Sequence, residues 1–129
     1  MLILNFTHPL TEDQQVKIEQ VTGYAIKRIL NISSKMDDTQ PFGQQVAIQA
    51  DSVNLTPEQW QQEFILINPL VYVPAASVLI AELHGRMGYF PAIIRTRPIP
   101  NSTPLQFEVA EIINLQNVRD NARERRIRE

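Results

Sequence analysis

The chain has 129 residues, of which 43% are hydrophobic and 20% charged, a composition typical of one folded domain with a single core. No apolar run approaches the roughly 20 residues of a membrane helix. No basic segment precedes the apolar N-terminal residues, as it would in a signal peptide. We therefore expect a cytoplasmic protein without a membrane partner. The lack of cysteine excludes disulfides, thiol catalysis and zinc–thiolate sites.

The net charge of −2 conceals an uneven distribution. Residues 1–85 carry four cations against nine anions, whereas residues 86–129 carry eight arginines against five anions. The planar fork of arginine suits phosphate and carboxylate groups and stacks on bases. A solvated, salt-bridged surface is the simpler interpretation of the arginine-rich tail. The pI near 5.7 argues against non-specific binding to duplex nucleic acid.

The first half of the chain predicts two strands and a long helix. The apolar residues 2–4 predict a buried strand. The segment that begins at Thr11 has the pattern of a capping box, and apolar residues at three- and four-residue spacing then predict a helix over residues 12–32. Residues 33–43 are polar and predict a loop. The weak alternation of residues 45–50 predicts a second strand.

The second half predicts the remaining strands of an α/β sheet. A second capping box at Thr56 begins a short helix. The other expected elements are a third strand at 64–67 (or, alternatively, 70–73), a helix at 75–83, a fourth strand at 92–97, a strand at 107–113 and a final helix at 117–129. The segment before the last strand is too short for a helical crossover, so that strand should pair antiparallel or lie at an edge. The alternation predicts one small Rossmann-like α/β domain over residues 1–129, with a mostly parallel sheet flanked by helices.

Polar loops follow two of the predicted strands. Ligands of open α/β sheets bind in the crevice at the carboxyl ends of the strands, where these loops should meet. Small residues at the start of the third helix would let a ligand approach its free amides, although tight helix–sheet packing is the simpler explanation of them. The candidate ligand-binding residues are Asn5, Phe6, Thr7, His8, Asn68, Pro69, Ala75, Ala76 and Ser77.

The two histidines carry different expectations. His8 is either a general acid or base of the first loop, or a solvated turn residue. His84 and Arg86 lie near the end of a helix, where a capping role is expected. They would join the crevice only if a second subunit brought them there. Two histidines without ordered carboxylate spacing predict no metal, and the chain has no glycine-rich cofactor motif and no nucleophile elbow.

A set of segments in fixed order gives the chain its resemblance to a known family. They are residues 4–11, Asn68-Pro69 with Ala75-Ala76, residues 81–88, residues 107–116 and Arg119-Asp120. Together they resemble the CRISPR-associated Csx-fifteen family of small accessory proteins found beside type III CRISPR systems. The resemblance implies a CARF-like domain, a homodimer and binding of cyclic tetra-adenylate, the second messenger that type III systems make on detecting foreign RNA.

Several functions stay open at this point. The leading hypothesis is a non-catalytic protein that sequesters cyclic tetra-adenylate and so damps the antiviral effectors. The alternative is a metal-independent ring nuclease with His8 as general base, and a third is an interaction module whose arginine-rich helix docks an acidic protein. If His84 and Arg86 also gripped the ligand, dimers would join into open chains. A simple two-fold dimer that encloses the ligand is the other possibility.

Overall fold

Five strands form one sheet in the computed structural model, which describes residues 1–127. The strands are β1 (Leu2–Asn5), β2 (Arg28–Asn31), β3 (Ile65–Asn68), β4 (Ala92–Pro98) and β5 (Phe107–Asn114). Their order is β2-β1-β3-β4-β5; the first four are parallel and β5 is antiparallel to β4. The predicted class, a small Rossmann-like α/β fold with a final antiparallel strand, is confirmed.

Helices lie on both faces of this sheet. They are α1 (Glu12–Thr22), α2 (Phe42–Asp51), α3 (Pro57–Gln62), α4 (Val73–Met87) and α5 (Leu115–Ile127). Both predicted capping boxes are present, at Thr11 and at Thr56. None of the helices within residues 1–127 is both long and apolar enough to cross a membrane.

The two faces of the sheet are covered unequally. On one face α2, α3 and α4 bury a large cluster that includes Leu4, Trp60 and Leu79. On the other face α1 contributes Ile18 to a smaller cluster with Ile3, Leu66, Ile94 and Val109. A single helix cannot cover a five-stranded sheet, so the α1 face keeps a groove between α1 and the β4–β5 hairpin.

The chain reverses its direction across the sheet between β1 and β3. From β1 it moves to β2 on one side, and it then returns to place β3 on the other side of β1. At such a switch point the loops that leave the two strands diverge, and a crevice opens at the carboxyl ends of the strands. In this sheet the crevice lies beyond Asn5 and Asn68.

The predicted helix over residues 12–32 is wrong in its second half. α1 ends at Thr22, because Gly23 adopts a left-handed φ of 75° and donates its amide to the carbonyl of Glu19. The chain then forms β2, whose Ile29 packs into the α1-side cluster while Leu30 packs into the opposite one. The apolar residues whose spacing fits one face of a helix here alternate between the two faces of a strand.

The predicted strand at residues 45–50 is also wrong, because these residues lie in α2. Val46, Gln49 and Ala50 are buried, at the spacing of one helical face. Ile48, which strand alternation would place on the same face as Val46, is 67% exposed. The loop before α2 was predicted well.

The remaining predicted elements are confirmed with small shifts. The third strand lies at Ile65–Asn68 and not at 70–73, and α4 ends at Met87 and is capped by Gly88 with a φ of 83°. The fourth strand and the antiparallel last strand are present. The final helix begins at Leu115, and the last two of its predicted residues lie outside the described part of the chain.

Candidate functional site

Three asparagines end three neighbouring parallel strands and form a row. Strand register pairs Asn5 of β1 with Asn31 of β2 on one side and with Asn68 of β3 on the other. The Nδ2 of Asn68 donates to the Oδ1 of Asn5 at 2.9 Å, and the Nδ2 of Asn5 donates to the Oδ1 of Asn31 at 2.8 Å. This asparagine row (Asn31, Asn5 and Asn68) ties together the carboxyl ends of β2, β1 and β3.

Asn5, at the centre of the row, also shapes the loop that follows β1. Its Nδ2 donates a second hydrogen bond to the carbonyl of His8 at 3.0 Å, and its Oδ1 accepts one from the amide of Thr7 at 3.2 Å. The side chain has no exposed surface and makes four hydrogen bonds. Asn5 therefore holds Thr7 and His8 in place and does not itself face the solvent.

A cleft of about 380 Å³ opens at the switch point, next to the asparagine row. The loop after β1 forms one wall and the loop after β3 forms the other. Residues of the β4–β5 hairpin complete it. The lining residues are Thr7, His8, Pro9, Leu10, Gln14, Asn68, Pro69, Leu70, Val71, Ile94, Thr96 and Phe107. The volume lies within the range of small-molecule sites.

Four of the predicted site residues meet in this cleft. Thr7, His8, Asn68 and Pro69 all line it. One N–H of the Asn68 side chain donates to Asn5. The Oδ1 of Asn68 has no hydrogen-bond partner among residues 1–127. That oxygen and the second N–H are therefore open to a ligand.

The other predicted residues of the two loops lie elsewhere. Phe6 and Ala75 are fully buried and pack in the cluster beneath α4. Ala76 packs against the same cluster, and the hydroxyl of Ser77 donates to the carbonyl of Val73 at 2.9 Å. The small residues of α4 thus allow close packing of the helix on the sheet, and none of them lines the cleft.

His84 and Arg86 lie at the opposite edge of the sheet. The His84 ring packs against the ring of Phe90, which precedes β4, and the two ring centroids lie 4.3 Å apart. Arg86 donates to Glu82 at 2.8 Å and to Asp51 at 2.7 Å. Partial burial alone would lower the pKa of Arg86, but its hydrogen bonds to the two carboxylates outweigh that effect and raise it. In this chain Arg86 is committed to neighbouring side chains.

The chemistry that the cleft offers is mostly neutral. His8 is its one titratable lining residue among those described, and Thr7, Gln14, Asn68 and Thr96 supply hydrogen-bonding groups. In the described part of the chain, no group of three His, Asp or Glu side chains converges to hold a metal ion. The arrangement suits a ligand held by hydrogen bonds and by contact with apolar walls.

Sequence reasoning missed Asn31, Gln14, Thr96 and Phe107. The signal for Asn31 was present, because Leu30-Asn31 ends β2 as Leu4-Asn5 ends β1, but the helix predicted over this segment concealed it. Gln14 was recognised only as a capping residue. Its Nε2 also donates to the carbonyl of Phe107 at 2.9 Å, a contact 93 residues apart in the chain that local patterns could not reveal.

Comparisons of the chain with protein-family models, with curated proteins and with solved structures give no match.

Proposed function

We propose that this protein binds cyclic tetra-adenylate in the crevice at the β1–β3 switch point and sequesters it. The observation that carries the proposal is the cleft itself, with Thr7 and His8 facing Asn68 and Pro69 across it. Open α/β sheets bind ligands at this place. The resemblance to the Csx-fifteen family supplies the identity of the ligand.

The groups in the cleft suit this ligand. The amide of Asn68 can pair with the edge of an adenine, which presents one donor and adjacent acceptors. The hydroxyls of Thr7 and Thr96 can donate to phosphate oxygens. A ring of four identical nucleotides presents the same chemistry repeatedly, so two copies of one crevice can hold it from a two-fold dimer.

The titratable groups of the cleft favour binding without cleavage. General acid–base catalysis of phosphodiester cleavage is most effective when an acid and a base are both placed at the reacting atoms. Among the described residues that line this cleft, His8 is the only acid or base; Asp13, Lys17 and Glu108 border a neighbouring chamber. We therefore propose storage of the intact ligand as the activity of the protein.

Calorimetric titration tests the proposal. We expect heat on adding cyclic tetra-adenylate to micromolar protein, and little heat on adding linear tetra-adenylate or ATP. A parallel titration with cyclic hexa-adenylate measures the preference for ring size. The absence of binding to cyclic tetra-adenylate at micromolar protein would contradict the proposal.

The ring nuclease is the second candidate, because His8 lines the cleft and its imidazole is exposed. In such a reaction the 2′-oxygen attacks the adjacent phosphorus and the bond from phosphorus to the 5′-oxygen breaks. His8 would accept the proton of the 2′-hydroxyl, and the departing 5′-oxygen would take a proton from water. No metal is needed if the ring is held in line.

Chromatography of labelled ligand after incubation with excess protein separates the two candidates. Storage predicts intact ring at all times. A linear product that ends in a 2′,3′-cyclic phosphate, formed by the parent and not by His8→Ala, would establish the nuclease and contradict storage.

We also propose that the protein acts as a homodimer. Light scattering coupled to size exclusion should give twice the chain mass without ligand, and a monomer mass would contradict this. With cyclic tetra-adenylate, an unchanged dimer mass would show that a two-fold dimer encloses the ring. A mass that grows with ligand would show open chains of dimers.

A further inference from the structure

The binding cleft continues along α1 into a second, larger chamber. This chamber has a volume of about 670 Å³ and lies between the first turns of α1 and residues 99–109. The two chambers share His8, Pro9, Gln14 and Phe107. The hydrogen bond from Gln14 Nε2 to the Phe107 carbonyl crosses between their walls. The two chambers thus adjoin at Phe107, where this hydrogen bond joins α1 to β5, and together they are called the groove.

A β-bulge decides which side chains of β5 face this groove. Arg95 pairs with Glu111, but the next residue, Thr96, pairs with Val109, so Ala110 is an extra residue in β5. Such a bulge shifts the alternation of the strand by one residue and re-aims the side chains beyond it. Val109, before the bulge in β5, and Ile112, after it, both belong to or pack against the α1-side cluster.

The ion pairs of the hairpin show the same shift on its other face. Arg95 pairs with Glu111 at 2.6 Å, and Arg97 pairs with Glu108 at 3.0 Å. Without the bulge Glu108 would share the face of Ile112. Because of the bulge, Glu108 lies instead on the face of the ion pairs. Phe107 lies on the same face of β5 as Val109, towards α1. The bulge therefore turns Phe107 towards α1, while Glu108, which also borders the second chamber, pairs with Arg97.

Phe107 differs from an ordinary core aromatic in its exposure. It is 46% exposed although it lines both chambers. An aromatic face that remains open inside a groove is the feature on which nucleic-acid-binding proteins stack bases.

Charged groups stand across the second chamber from Phe107. Lys17 and Asp13 lie one turn apart on α1 and both line the chamber. Within residues 1–127 no ion pair engages either of them. The ammonium of Lys17 is thus available to a phosphate, and the carboxylate of Asp13 to the amino group of a base.

We propose that Phe107 is a stacking platform for one adenine of the ligand and that Lys17 contacts a neighbouring phosphate. The proposal rests on the proposed function and extends its site: the ligand would occupy the groove along α1 as well as the crevice at the switch point. It assigns Phe107 as a determinant of base binding, and the bulge at Ala110 as the device that positions it.

Substitution of Phe107 tests the stacking. Phe107→Leu should lower the affinity for cyclic tetra-adenylate about five- to hundredfold, the range measured when stacked aromatics are removed. Phe107→Tyr should retain it. The matched control is Phe64→Leu, which changes a 37% exposed phenylalanine near the opposite edge and should leave affinity unchanged.

A tryptophan reporter makes the test independent of any loss of stability. Stacking of adenine on Phe107→Trp should change the indole emission on titration, whereas Phe64→Trp should show no change. If the parent does not bind the ligand, the proposed function itself is wrong and this proposal falls with it. If the parent binds, but Phe107→Leu binds equally well and the indole at position 107 does not respond, only the stacking proposal is overturned.

The role of Lys17 is tested by salt dependence. Lys17→Gln should weaken binding and reduce the loss of affinity between low and high salt, because one charge contact to phosphate is removed. Lys27→Gln, which removes an exposed lysine just before β2, is the control and should match the parent. Equal salt dependence of the parent and Lys17→Gln would remove Lys17 from the site.

Discussion

At the scale of single residues, Asn5 supports the crevice from within. Its side chain is fully buried and makes four hydrogen bonds, two of them to the other members of the asparagine row. It acts as a positioning residue, because the groups that face the cleft belong to the loop it holds. The substitutions at Asn5 and His8 should therefore have different effects.

Asn5→Ala should lower the free energy of unfolding by about 2–3 kcal/mol, because it removes four hydrogen bonds and leaves the buried Asn68 amide without its partner. Urea denaturation measures this loss. Asn121→Ala, on the exposed surface of α5, is the control and should stay within about 0.5 kcal/mol of the parent. The sequence alone predicts little loss at Asn5, since loop residues rarely support a core, but the burial of Asn5 argues against that prediction. An Asn5 variant as stable as the parent would restore it.

His8→Ala should leave stability unchanged, because the side chain is exposed and its carbonyl, which the substitution keeps, makes the contact to Asn5. Affinity for cyclic tetra-adenylate should fall about tenfold, the loss expected for one hydrogen bond to a charged or polar ligand group. Calorimetry beside a thermal melt separates the two effects. Unchanged affinity would place the ligand away from His8, which lines both chambers.

The candidate site is predictable from the sequence where a polar loop follows an apolar run. Thr7, His8, Asn68 and Pro69 were found in this way, and the structure brings them to one cleft. What the sequence could not show is which way each side chain turns. Asn5 and Phe6 turn inward, and Phe107 reaches the groove only because a bulge shifts its strand.

At the scale of elements, the strong local signals predicted the fold and the short ambiguous runs did not. Capping boxes, a proline at the first helical position and β-branched runs beside Asn or Pro gave α1, α3, β3 and β4. The errors fell on β2 and α2. β2 is a four-residue edge strand, and the apolar residues of α2 at positions 46 and 48 fit an alternating strand as well as a helix.

The pair Val46 and Ile48 tests the assignment of α2. In a strand both would face the core, whereas in α2 Val46 is buried and Ile48 is 67% exposed. Ile48→Lys should change the free energy of unfolding by no more than about 0.5 kcal/mol. Val46→Ala should cost about 1–3 kcal/mol through lost burial and a residual cavity. Chemical denaturation of both variants measures the difference, and equal, large losses would indicate a strand.

The loop before α2 should respond to acid. Its Asp37 accepts hydrogen bonds from the hydroxyl of Thr39 at 2.6 Å and from the Thr39 amide at 2.9 Å, and these two bonds lower the pKa of Asp37 below its usual 3.8. A lowered folded-state pKa means that the stabilising contribution is complete above the unfolded value and is lost as pH falls through the folded one. The Thr39 amide resonance should shift with a midpoint below 3.8 and should not titrate in Asp37→Asn. A midpoint at or above 3.8 would contradict these contacts.

At the scale of the whole molecule, the two faces of the sheet have separate tasks. The groove and its ligand-competent groups lie on the thinly covered α1 face. The opposite face is closed by α2, α3 and α4, which meet at Arg86. Its guanidinium, on α4, bonds to Asp51 and to the Ala47 carbonyl of α2 and lies 5.7 Å from the centre of the Trp60 ring of α3. One side chain thus joins the three helices that support β1 and β3 from behind.

Substitution of Arg86 should therefore change stability and leave ligand affinity intact. Arg86→Ala should lower the free energy of unfolding by about 1–2 kcal/mol, the sum expected for partly exposed ion pairs and a cation–π contact. Arg86→Lys should recover only part of this, because an ammonium cannot reproduce the fork that reaches Glu82 and Asp51 together.

A double-mutant cycle with Asp51→Asn, followed by urea denaturation, should give a coupling of about 0.5–1 kcal/mol between Arg86 and Asp51. Calorimetry on Arg86→Lys should give the parent affinity for cyclic tetra-adenylate, since the closed face of the sheet separates Arg86 from both chambers. A variant that keeps its stability but no longer binds cyclic tetra-adenylate would contradict a purely structural role of Arg86. Arg86 would then be a binding residue supplied to the crevice of a second copy.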